Sequence, residues 1–133
     1  MKKITPQEAK DLNQNYVNTR AKAVDVAIGK KDAISSWFSL DDLKAYISYV
    51  ESEGKAKGIT VNGLRVYFGA YSKNDKNPTK NNYSTVFFVP TQSKKGDSLE
   101  DGELAAVQNS DIVTIDPMNE GSIGYPPSAT YPQ

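Results

Sequence analysis

The sequence predicts an α+β fold: a two-layer sandwich with a small mixed sheet and both helices on one face. Three observations predict it. Two stretches carry apolar residues at helical spacing, each opened by a capping residue and followed by glycine. Two runs alternate like strands across a polar loop. The elements follow one another in the order α-β-α-β-β.

Thr5-Pro6-Gln7-Glu8 opens the first helix. Thr5 can cap, Pro6 suits the first helical position, and Glu8 completes a capping box. Leu12, Tyr16, Ala23, Val24, Ala27 and Ile28 then put an apolar stripe on a helix over 6–28, with Gly29 as its C-cap. Ala33 to Phe38 reads as a short strand. Ser39 caps a second helix whose first turn holds Asp41 and Asp42, where the helix dipole favours anions. Leu40, Leu43, Tyr46, Ile47 and Val50 form its stripe, and Gly58 stops it, with Gly54 an earlier candidate stop.

Asn62-Gly63 is a turn signal. From Leu64 to Tyr71 the residues alternate: Leu64, Val66, Phe68 and Ala70 share one face, Arg65, Tyr67, Gly69 and Tyr71 the other. A polar loop over 72–83 leads to a partner strand, Thr85 to Pro90, in which both faces are apolar and Pro90 is expected to end the ladder. The first two strands are joined through a helix and should lie parallel; the hairpin makes the second and third antiparallel. Leu99 to Val107 suggests a short helix and Asp111 to Ile115 a strand. The expected organisation is one domain over 1–115 and a Pro/Gly/Tyr-rich tail over 116–133.

Composition excludes much chemistry. The 133 residues include no cysteine and no histidine, so disulfides, thiolate nucleophiles, Cys/His zinc sites and a Ser-His-Asp triad are ruled out. No phosphate-cradling glycine motif is present, and Asp75-Lys76-Asn77-Pro78-Thr79 departs from a calcium loop at Lys80 and Val86. Asp97, Glu100, Asp101 and Glu103 surround Gly102, and an exposed acidic turn explains them better than a calcium site. No catalytic residue, metal ligand or cofactor is therefore assigned. Lys2 and Lys3 precede polar residues rather than an apolar signal core, and no apolar run is long enough to span a membrane, so a cytoplasmic location with no membrane partner is expected.

Net charge is zero, from 16 basic and 16 acidic residues, but residues 96–133 hold seven acids and no base. If the helices cover Val66, Phe68, Val86 and Phe88, the opposite sheet face presents Tyr67, Tyr71, Phe87 and Val89 beside Arg65. Such a face needs cover: the C-terminal quarter, a second copy of the chain, or a ligand. Nucleic acid is disfavoured, because Leu64 to Gly69 matches only one of the two aromatic motifs of RNA-binding sheets and the net charge is zero.

Ser36-Trp37-Phe38-Ser39-Leu40 with Leu43-x-x-Tyr46-Ile47, Gly63 to Tyr71, Thr85 to Thr91, and the Asn119-Glu120-Gly121 and Pro126-Pro127 pairings together resemble small uncharacterised proteins of Bacteroidota-type bacteria. The resemblance spans about residues 35–127 and implies a bacterial, cytoplasmic origin. That group has no known activity, so no site residue carries over. The expectation is a non-enzymatic interaction module forming a homo-oligomer through Tyr67, Tyr71 and Phe87. The alternative is a small anionic ligand held between the sheet and the acidic segment by Arg65 and Tyr67. Against that alternative stands the pairing of Arg65 with an acid of the C-terminal quarter.

Overall fold

The computed structural model describes residues 1–93, 109–124 and 126–133. The expected helix at 99–107 and the Asp97 to Glu103 acidic cluster lie outside the described residues. The fold is α+β, with helices and two small antiparallel sheets. The chain divides into two compact units. The first comprises Met1–Trp37, Phe68–Thr85 and Gly121–Gln133; the second comprises Phe38–Tyr67 and Val86–Glu120.

In the first unit, α1 (Pro6–Tyr16) opens with the anticipated capping box. Glu8 N–H donates to Thr5 Oγ1 at 3.1 Å, and Thr5 N–H donates to Glu8 Oε2 at 2.7 Å. That second bond is the main reason the Glu8 carboxyl sits below its usual pKa. The single helix expected over 6–28 is interrupted by a π-helical turn, Val17–Ala21, before α2 (Lys22–Ile28). An extra residue per turn moves the following stripe by roughly 100°. Leu12, on the expected stripe, is exposed, while Ala21, within the π turn, is buried. Gly29 ends α2 at φ +74°, a conformation only glycine adopts without strain.

The expected strand at 33–38 is only β1 (Ser36–Trp37). It does not join the hairpin in parallel; it pairs antiparallel with β5 (Ser122–Ile123), Ser36 facing Ile123 and Trp37 facing Ser122. Ile34 N–H also donates to Pro127 O at 3.2 Å, and Tyr131 N–H to Asn13 Oδ1 at 3.0 Å. The stretch read as a tail thus supplies the strand that β1 pairs with.

The second unit holds α3 (Leu40–Lys57), capped by Ser39 and ended by Gly58 at φ +68°. Gly54 lies inside the helix rather than at its end. A Cβ there would sit 2.7 Å from Ile59 O and 2.9 Å from Val61 Cγ2, so the chain leaving the helix folds back on the space that the missing side chain leaves. Tyr46 and Val50 of α3 form the core with Ile112 and Ile115, and Ile59, Val61, Leu64, Phe88 and Met118 pack around them.

Strands β2 (Gly63–Ala70), β3 (Ser84–Ser93) and β4 (Asn109–Asp111) form a sheet in the order β2-β3-β4. Asn62-Gly63 makes no hairpin turn. Asn62 N–H donates to Thr91 O at 2.9 Å, and its side-chain amide is bonded to Thr91, Ser93 and Asn109, so it fastens the start of β2. Pro90 does not end β3, which continues to Ser93. Its carbonyl still accepts from Ile112 N–H at 2.9 Å, and only the return bond is missing. Opposite that gap β4 leaves the ladder. The register shifts by four residues between Thr91↔Asp111 and Phe88↔Met118, and this detour carries Ile115 into the core. Ile112 and Ile115, expected in a strand, therefore lie beyond β4. Among the described residues no helix is long and apolar enough to cross a membrane.

Candidate functional site

Alternation along β2 and β3 puts Arg65, Tyr67, Phe87, Val89 and Thr91 on one face of the sheet, with Leu64 and Phe88 turned toward α3. Asp111 lies opposite Thr91 on β4 and so joins the same face. Its two carboxylate oxygens are taken by Arg65 Nη1 and by the Tyr67 hydroxyl, which donates. Arg65 Nη2 donates to Asn109 O at 2.8 Å. Because β2 and β4 flank β3, these bonds cross the central strand and tie the two outer strands together. Tyr67 stacks on Phe87, ring centroids 5.2 Å apart at 15°. The Tyr67 hydroxyl is the first cause holding the Arg65 guanidinium above its ordinary pKa, and the Asp111 charge adds to it.

The anticipated site residues thus have different fates. Arg65 is paired with an acid of the C-terminal quarter, the reading set against a ligand anchor. Tyr67 and Phe87 are half-buried and stacked, and Val89 is only 6% exposed, a core residue. Tyr71 lies in the first unit, half-buried, where Thr85 Oγ1 donates to its hydroxyl at 3.4 Å and the Lys80 ammonium stands 5.6 Å from its ring centre. The open apolar side chains are on the other face of β2: Val66 is 49% and Phe68 88% exposed. The sequence expectation that helices cover both is not met, because the core beneath α3 includes Leu64 and Phe88 but neither Val66 nor Phe68.

Sequence reasoning missed a second cluster, in the first unit. Asp32 is 1% exposed and accepts from Ser84 N–H at 2.8 Å and from the Ser84 hydroxyl. Its own N–H donates to Asp25 Oδ1 at 2.8 Å, and Lys31 pairs with Asp25 at 3.4 Å. Lys30 donates to Asn81 O at 2.6 Å with its ammonium 3.7 Å above the Tyr83 ring. Every strong group here is spent on a neighbour, so the cluster latches the 30–32 turn to the base of the hairpin loop and leaves no free acid or base. Nothing in the run Gly29-Lys30-Lys31-Asp32 signals it, since its partner lies 52 residues away. Among the described residues no group of three acids gathers as metal ligands.

Compared with protein-family models, curated proteins and solved structures, the chain finds no match.

Proposed function

We propose that the protein is a non-enzymatic interaction module of the bacterial cytoplasm that associates with a second copy of itself, using the Val66 and Phe68 face of β2 rather than the Arg65 face. The observation that carries this reading is Phe68, 88% exposed within a regular strand. A phenylalanine left in water in a strand forgoes roughly 1.5–3 kcal/mol of burial, and exposed apolar surface of this kind marks interfaces. Among the described residues β2 is also the outer strand of its sheet, with a backbone edge open to pairing. A net charge of zero removes long-range repulsion between copies. The anion-binding alternative is the weaker reading, because Asp111 already neutralises its anchor, Arg65.

Light scattering on the purified chain tests this. The parent is expected to be a dimer or larger, and Phe68→Asp a monomer of unchanged thermal stability. A parent that stays monomeric at every concentration sinks the reading.

A further inference from the structure

The charges sort by unit. Among the described residues the first unit holds ten Lys/Arg and five Asp/Glu, and the second holds four Lys/Arg and seven Asp/Glu. These residues therefore make one basic and one acidic body. In the basic unit the carboxylates are committed: Asp25 binds Lys31 and Asp32 binds Ser84. Lys2, Lys3, Lys10, Lys22, Lys73 and Lys76 are exposed, and none of them forms an ion pair among the described residues.

Each unit exposes several apolar side chains. The most exposed within a strand of the basic unit is Phe68 on β2, which leads into the loop bearing Lys73 and Lys76. The most exposed of the acidic unit among the described residues is Val113, 91% exposed, in a turn anchored on both sides by Ile112 and Ile115, which are 2% and 1% exposed. Asp116 flanks that turn, its backbone fixed by the Tyr46 hydroxyl, which donates to its carbonyl at 2.9 Å, while Asp111 on the other side is paired with Arg65.

We infer that self-association is head-to-tail: the Phe68 surface of the basic unit receives the Val113 turn of the acidic unit of the next copy. This deepens the reading above and rests on it. Two different patches meet in such a contact, so it closes only as a ring or else grows as a filament, whereas a twofold contact would set Phe68 against Phe68. Opposite charges steer the encounter and make it weaken with salt.

The experiment uses the full chain and two surface variants, Phe68→Asp and Val113→Lys, with circular dichroism to confirm that both fold. Head-to-tail association expects each variant alone to be monomeric and an equimolar mixture to recover a two-chain species, because the mixture keeps one intact junction: Phe68 from one chain, Val113 from the other. Raising salt from about 50 mM to about 500 mM should shift the parent toward monomer. A Val113→Lys chain with the parent's mass, or a mixture that stays monomeric, overturns the head-to-tail arrangement and leaves self-association through Phe68 standing. A monomeric parent overturns both. Capture of the parent by an acidic polymer such as heparin, with no parent self-association, assigns the basic unit to a polyanion instead and also overturns the inference.

Discussion

Asp32 is a buried carboxylate whose stabilising role depends on one serine. Replacing it with alanine strands the Ser84 N–H and hydroxyl, and bonds to a charged acceptor contribute about 1.5–3 kcal/mol. Asp32→Ala is expected to lower stability by about 3 kcal/mol in denaturant titration, and Asp32→Asn, which keeps one acceptor, by clearly less. Tyr67→Phe removes the hydroxyl from Asp111 but keeps the stack on Phe87. At this half-exposed position the expected loss is about 1 kcal/mol. Tyr46 gives a pH dependence. Burial first, then Tyr49 and Asp116, push its phenol up to about 12 from 10.0. Both states hold the proton below pH 10, so the full contribution is present there. Between about pH 10 and about 12 the unfolded chain ionises first, and stability falls by on the order of 2 kcal/mol. A Tyr46→Phe chain is expected to show a shallower alkaline loss than the parent, measured by urea midpoints across that range.

At the scale of elements, what was legible is what local chemistry decides. Thr5 with Glu8, Ser39, Gly29 and Gly58 mark helix ends through bonds reaching no more than a few residues, and the alternation of β2 follows from the pleat alone. What escaped depends on distant partners. The parallel pairing of β1 was expected from a crossover rule, but β5, some 86 residues on, takes that edge. Pro90 was expected to stop β3, yet the ladder there loses one donor and keeps its acceptor, and β4 turns away at just that gap. Gly54 looked like a helix stop because its real constraint, the returning Ile59 carbonyl, is invisible in the helix's own spacing. Helix propensity alone would make Gly54→Ala stabilising by about 1 kcal/mol. The expected result is the reverse, a net loss of about 1–3 kcal/mol in thermal or chemical unfolding, because the new methyl group meets backbone that cannot yield cheaply.

For the molecule as a whole, the α+β class was readable and the candidate surface only partly so. The sequence showed that both sides of the hairpin were apolar and that one needed cover; it could not show that Asp111 would supply part of that cover and that Phe68 would be the side chain left open. The charge asymmetry was visible along the chain as an acidic final quarter, but its partition between two bodies emerges only when the segments are gathered, because each body is assembled from separated stretches. Lys73→Glu with Lys76→Glu is accordingly expected to weaken self-association without altering the unfolding midpoint, as read by sedimentation and thermal melts on the same samples.

The pairing of β1 with β5 bears on how the protein is made. A ribosome that has released the first 120 residues holds a chain in which Ser36 and Trp37 have no strand to join and Asn13 has no partner in Tyr131. The second unit is complete by then in sequence, whereas the first waits for its final thirteen residues. Maturation should thus be ordered in time, the acidic body settling before residues 121–133 are made and the basic body only after them.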